Sequence, residues 1–277
     1  MALSIQSNAA ATVIRNQLNR TNDGLAVALE RLGTGFRINS AKDDAAGLQI
    51  ATRLAAQVVG QETAMSNAAN ANAMLKTAEG AFDEMTNIAY RMKELATQGA
   101  NGTNATGEYT ALGNEFTALN DELTNIMTNT SFGAGTVLLS GGKLAASVTF
   151  QIGASAAETL AVDISAEIGD VDTAIAGFTG LADQADSSTT MGEIDDLITA
   201  VGAARAALGA SMNRLDHTIN NLSNMSENTS TAKSLLMDAD FARETSNMTK
   251  QQLLMNSGIS VLTTANTTTQ MVAQLLR

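Results

Sequence analysis

Met237-Asp-Ala-Asp-Phe-Ala-Arg-Glu-Thr-Ser-Asn-Met-Thr-Lys250, continued by residues 251–277, is the stretch whose reading decides the fold. It reads as one amphipathic helix that abandons charge halfway. Between 251 and 276 there is no Asp, Glu, Lys, Arg or His, yet Leu253, Leu254, Met255, Ile259, Val261, Leu262, Met271, Val272, Leu275 and Leu276 keep returning. Asn256-Ser257-Gly258 and Thr267-Thr268-Thr269-Gln270 interrupt the apolar run, so it falls short of the roughly 20 apolar residues of a membrane span. The surface expected to cover this helix is protein.

The opening of the chain has the same character. Ile5, Val13, Ile14, Leu18, Leu25, Leu29 and Leu32 recur at loosely helical spacing, and the first charged side chain is Arg15. Gly33 to Ser40 then interrupts the pattern, with Asn39-Ser40 available to cap a new helix, and a linker is expected over residues 33–44. From 45 to about 100, Leu75, Ala78, Phe82, Met85, Ile88, Met92 and Leu95 fall three and four apart, which predicts a long helix with a coiled-coil-like seam. A turn-rich loop over 99–107 and a shorter helix over 108–128 follow.

The period changes at Ser131. Val148, Phe150 and Ile152 alternate with polar residues, as do Leu160, Val162 and Ile164, which predicts a β-hairpin. Residues 168–190 read as a loop or a small helix around 171–178. Helical period returns at Met191 and runs through Ile194, Leu197, Val201, Leu208, Leu215 and Leu222, up to a polar break at Ser226-Glu-Asn-Thr-Ser-Thr231. The layout is nearly mirror-symmetric, so the fold class is mainly α: a long antiparallel helical bundle pairing the two halves of the chain, with a small hairpin region in the middle.

Composition supports long helices. Among 277 residues there is no Pro, Cys or Trp and there is one His; absence of Pro removes the commonest helix breaker. The net charge of −12 lies in the middle: residues 45–235 hold eight basic and twenty-one acidic groups, whereas the ends are near neutral. That balance argues against nucleic acid and anionic membranes as partners. Enzymatic chemistry finds no footing. His217 reads as a surface residue, zinc motifs built on Cys or paired His are impossible, and no phosphate-binding loop or nucleophile elbow occurs. No cofactor or metal is implied. The thirteen Met sit mostly on the seams as core filling. Uncharged amphipathic ends point instead to self-association, folding as they assemble, and repeated contacts that do not close give helical filaments. No charged and apolar leader opens the sequence, so a cleaved signal peptide is not expected.

Two long stretches carry a resemblance. Leu32-Gly-Thr-Gly-Phe-Arg-Ile-Asn-Ser-Ala-Lys-Asp-Asp-Ala-Ala-Gly-Leu-Gln-Ile-Ala-Thr-Arg53 resembles the N-terminal signature of bacterial flagellins, and Asp238 to Lys250, with Ser260-Val261-Leu262 and Ala265-Asn266, resembles the C-terminal one. Phe132-Gly-Ala-Gly-Thr-Val-Leu-Leu-Ser-Gly141 and Phe150-Gln-Ile-Gly-Ala154 are also similar to that family, and Thr269 stands where it usually has Pro. The resemblance implies a structural, non-enzymatic subunit of the hollow flagellar filament, exported uncleaved through the flagellar type III apparatus. Terminal helices (1–44 and 236–277) would form the inner tube; 45–165 and 191–235 would form the outer tube; 166–190 would be a short remnant of the variable outer region.

Polymerisation would rest on Ile5, Val13, Leu18, Leu25, Leu253, Leu254, Ile259, Leu262, Val272 and Leu275. Expected partners are further copies of the chain, an export chaperone, the filament cap and the hook-filament junction proteins. Arg91, Leu95 and Glu115 match positions that the animal Toll-like receptor for flagellin contacts; the weightier alternative is that they are ordinary outer-face helix residues serving the filament. Ser187, Ser188, Thr189 and Thr190 are expected to be exposed and open to O-linked sugar. The alternative reading is a hook-filament junction adaptor.

Overall fold

The computed structural model describes residues 8–275, and among them six α-helices, one 3-10 turn and four short strands follow in order. They are α1 (Ala9–Thr34), α2 (Ala45–Gly99), α3 (Thr106–Asn129), β1 (Ser131–Phe132), β2 (Thr136–Val137), the 3-10 turn Lys143–Ala145, β3 (Val148–Gln151), β4 (Thr159–Val162), α4 (Ser165–Ala176), α5 (Gln184–Met237) and α6 (Phe241–Leu275). The chain divides into two compact units, one holding residues up to 56 and from 228 onward, the other residues 57–227.

In the 57–227 unit, α2 and α5 run antiparallel. Asn72 Nδ2 donates to Asp216 Oδ1 at 2.6 Å, Arg205 pairs with Asp83 at 3.0 Å, and Lys93 pairs with Asp195, so numbers rise on one helix as they fall on the other. Leu75, Phe82, Met85 and Met92 from α2 join Ile194, Leu197, Val201, Ala204, Leu208 and Leu215 from α5 in one fully buried cluster. Magnitudes separate the roles of the two kinds of contact. Each large apolar side chain buried contributes about 1.5–3 kcal/mol, whereas part-exposed ion pairs such as these contribute about 0–1 kcal/mol. The apolar seam supplies the stability, and the polar pairs fix the register.

The rest of the unit closes over that seam. Strands β3 and β4 pair antiparallel, Val148 with Val162 and Phe150 with Leu160, and Leu160 and Val162 point inward while Thr159 and Ala161 face water. The smaller β1–β2 hairpin turns through Gly133 and Gly135, both at positive φ (64° and 78°), a conformation that costs a side-chain-bearing residue energy. Helix α4 buries Ile168, Val171 and Ile175, and beyond its end Phe178 meets Phe116 of α3 edge-to-face at 5.4 Å.

Four expectations are corrected here. Residues 226–231 do not break the helix: α5 is continuous to Met237, because Ser, Thr, Asn and Glu lower helix propensity by tenths of a kcal/mol per residue without removing a backbone bond. Helix α5 begins at Gln184 rather than Met191, with the Asp183 carboxylate accepting from Asp186 N at 2.9 Å. Ser187 and Thr190 are fully buried, their hydroxyls donating to Asp183 O and Gly180 O at 2.6 and 2.7 Å, so of the four only Ser188 and Thr189 are exposed. Leu95 is 1% exposed within the core cluster and is not an outer-face residue. Phe82→Ala should therefore cost about 3–5 kcal/mol in urea unfolding followed by circular dichroism, while Tyr90→Ala, at a 57% exposed position, should stay within about 0.5 kcal/mol.

Candidate functional site

The terminal unit pairs α1 with α6. Its helices start and stop on local chemistry: the Asn8 side chain accepts from Ala11 N at 3.0 Å, Gly35 at φ 78° returns its N–H to Arg31 O at 2.9 Å, and Asp240 Oδ1 accepts from Ala242 N and Arg243 N at 3.0 and 3.1 Å. Asn8 Nδ2 donates to Ala265 O at 3.1 Å near one end of the pair, and Arg31 bridges Glu244 at 3.1 Å near the other, so the two helices are antiparallel.

Between those ties lies a heptad seam. Ala11, Ile14, Leu18, Thr21, Leu25, Ala28 and Leu32 are buried or half-buried on α1, and Glu244, Met248, Gln251, Met255, Gly258, Leu262 and Ala265 on α6; every step is three or four residues. Small residues bring the helices close. A Cβ placed on Gly258 would lie 2.7 Å from Leu18 Cδ2 and 3.2 Å from its Cγ.

The sites expected to drive polymerisation fall into two sets. Leu18, Leu25 and Leu262 lie on the seam and are half-buried by the chain's own partner helix. Val13, Leu253, Leu254 and Ile259 lie off it and are 68%, 62%, 44% and 51% exposed, joined by Val27, Leu29, Val261 and Met271. Val13, Ile14, Leu18, Leu254, Gly258 and Val261 line an apolar groove along one side of the pair. Ile5 lies outside the described residues, as do the side chains of Val272 and Leu275. Sequence reading treated these apolar residues as one class; the three-four spacing of small and large residues together is the signal that separates them.

Residues 35–44 join α1 to α2 and are hydrogen-bonded to the end of α5 and the residues that follow it. Arg37 N donates to Met237 O at 2.6 Å, Ala239 N to Gly35 O at 2.9 Å, and the Arg37 guanidinium to Leu236 O at 2.9 Å. Asn39-Ser40 does not cap α2 as expected. Asp44 does, accepting from Gly47 N at 2.8 Å, while Asp43 Oδ2 gathers Ser40 N (2.9 Å), the Ser40 hydroxyl (3.0 Å) and Asn39 N (3.1 Å). Those donors, Ser40's backbone first, hold the Asp43 carboxyl below its ordinary value of 3.8.

In the other unit, Arg91 donates to Glu115 at 2.6 and 3.0 Å and to Glu94 at 2.8 Å, all three side chains being about half exposed. Glu115, then Glu94, raises the guanidinium's pKa. His217 is exposed. Among the described residues no group of His, Cys, Asp and Glu is arranged to hold a metal ion, and no helix is long and apolar enough to cross a membrane.

Residues 5–144 match the bacterial flagellin N-terminal helical region and residues 191–276 match the bacterial flagellin C-terminal helical region. The chain is 38% identical over 251 positions to a flagellin of Halalkalibacterium halodurans, covering 90% of this chain and 91% of that protein. It is 34% identical over 372 positions to Flagellin A of Vibrio anguillarum, covering 96% and 97% respectively. The crystal structure of Bacillus cereus flagellin superposes with a TM-score of 0.50 at 30% identity, over 57% of this chain and 88% of that one.

Two outcomes follow for the terminal unit. Gly258→Val should drive Leu18 off the seam and raise the protease sensitivity of both α1 and α6, while Gly33→Ala, where an added Cβ meets nothing within 4 Å, should not. Because the folded Asp43 value is depressed, its contribution is fully present above 3.8 and is lost as pH falls through the lower folded value. The stability difference between wild type and Asp43→Asn should shrink toward zero on acidification below that range, measured by urea unfolding at stepped pH.

Proposed function

Because the chain belongs to the bacterial flagellin family and is a structural subunit of the flagellar filament, we propose that the off-seam apolar residues of α1 and α6 are the surface through which its copies polymerise. One observation carries this reading: the helix pair satisfies its seam with small and half-buried residues and leaves Val13, Leu253, Leu254, Ile259 and Val261 facing outward. Burying each of these in a neighbouring copy is worth about 1.5–3 kcal/mol before ordering costs. No charge between residues 251 and 276 has to be desolvated in the process.

On this reading residues 1–44 and 236–277 belong to the inner tube of the filament and residues 45–165 and 191–235 to its outer tube. The finer assignments rest on family membership: export through the flagellar apparatus, residence in the extracellular filament, and handling by an export chaperone, the cap and the hook-filament junction proteins. A junction adaptor is not favoured, since the curated relatives described above are flagellins. Little or no outer domain is also proposed. Its support is the 372-position alignment, which leaves many residues of the Vibrio protein without a counterpart in these 277, and the lack of a family match over residues 145–190. Recognition by the animal Toll-like receptor is proposed through Arg91 and Glu115, which are exposed and paired, with Leu95 serving as a core residue and not as a contact.

Seeded assembly followed by electron microscopy tests the main proposal. Leu253→Glu with Ile259→Glu should leave the monomer's helicity unchanged and stop filament growth; normal filaments from that variant would refute it. In receptor-bearing reporter cells, Arg91→Ala should weaken the response without unfolding the protein, whereas Leu95→Ala should cost about 2–5 kcal/mol of stability.

A further inference from the structure

We propose that Asn101 is a self-modifying site, where the chain converts its own side-chain amide to an acid with water as the only co-reactant. In the step, the Gly102 backbone nitrogen attacks Asn101 Cγ. The new N–Cγ bond forms as the Cγ–Nδ2 bond breaks, and Nδ2 leaves as ammonia carrying the backbone amide proton. Water then opens the cyclic imide at either carbonyl, giving aspartate or its isomer linked through the side chain. No oxidant or reductant is needed.

The reaction requires a backbone nitrogen that is unhindered, unbonded and free to swing toward the side chain. Asn101-Gly102 is the one place in the 277 residues where Gly follows Asn, so no Cβ obstructs the attack. Both residues are exposed in the connection between α2 and α3. Among the described residues, no hydrogen bond is made by the Asn101 side chain or by the Gly102 N–H.

Three other Asn residues followed by a small side chain each fail at least one requirement. Asn104, in the same loop, is followed by Ala105, and its Nδ2 donates to Gln98 O at 2.6 Å. Asn39 is followed by the small Ser40, but Ser40 N is held by Asp43 Oδ2 at 2.9 Å and Asn39 Nδ2 donates to Phe36 O at 3.1 Å. Asn256-Ser257 lies inside α6, where the helix fixes the backbone. The fold thus selects a single reactive position.

Its consequences are local. A carboxylate at 101 stands two residues beyond the end of α2, whose last turn carries no basic residue, so it opposes the helix dipole. The isomerised product inserts an extra methylene into the main chain after Cα of residue 101 and turns the carbonyl that accepts from Asn104 N at 3.3 Å into a free carboxylate off the main chain. Subunits that persist in a filament would accumulate a loosened α2–α3 turn and a more acidic surface as they age.

The test is incubation of the purified full-length protein at mildly alkaline pH, then digestion and fragment-ion mass spectrometry. Asn101 should gain the mass of an amide-to-acid exchange and elute as two isomers, faster at higher pH, while Asn39, Asn104 and Asn256 stay intact. In urea, Asn39 and Asn256 should begin to react. Gly102→Ala, whose Cβ would meet Gln184 at an accommodating 3.4 Å, should slow conversion at Asn101 many-fold. The proposal is overturned if Asn101 stays intact in the folded protein over a period in which the urea-unfolded protein converts it. It is equally overturned if Asn104 or Asn39 reacts first, or if Gly102→Ala does not slow the reaction.

Discussion

Everything in this molecule depends on antiparallel pairing of the first half of the chain with the last. In one unit the pairing order is fixed by Asn72 with Asp216, Arg205 with Asp83 and Lys93 with Asp195; in the other by Asn8 with Ala265 and Arg31 with Glu244. Closing such long loops costs entropy that grows only logarithmically with length, about 0.6 kcal/mol per doubling. A continuous apolar seam offsets that cost easily, and a few polar pairs suffice to choose the register.

The two units use the same geometry with different side chains, and that difference separates a finished fold from an unfinished one. Where α2 meets α5, Leu, Phe, Met, Ile and Val fill the seam and are withdrawn from water. Where α1 meets α6, the buried residues are Ala11, Thr21, Ala28 and Glu244, with Gly258 at the close approach; the larger seam residues Leu18, Leu25 and Leu262 are only half-buried, and Val13, Leu253, Leu254 and Ile259 face outward. Charge follows the same division. Acidic groups in excess keep the middle of the chain solvated, while residues 1–44 and 236–277 balance seven acidic groups with eight basic ones. On the reading proposed above, further copies of the subunit complete this surface.

Much of this was legible before any coordinates. The three-four pattern from Leu75 to Leu95 marks α2, and the alternation at Val148–Gln151 and Thr159–Val162 marks the hairpin. What escaped are polar side chains whose fate local bonding or helix propensity decides. Ser187 and Thr190 are buried because their hydroxyls are satisfied by carbonyls nearby, and residues 226–231 stay helical because nothing in them forbids it. Hydropathy patterns cannot register either case. Leu95 was misplaced for a different reason: one residue's match to a motif says nothing about which face of the helix it occupies, whereas its spacing from Met92 and Ile88 does. The division of α1 and α6 into seam and outer face needed the structure, because small residues set it and large ones obscure it.

The protein has no Cys, so single thiols can be introduced and their reactivity read without background. Leu253→Cys and Ile259→Cys should label rapidly in the monomer and become protected in the filament, while Met255→Cys and Leu262→Cys should be slow in both. Thiols at 253 and 259 that label as fast in filaments as in monomers would contradict the claim that this outer face is what assembly buries.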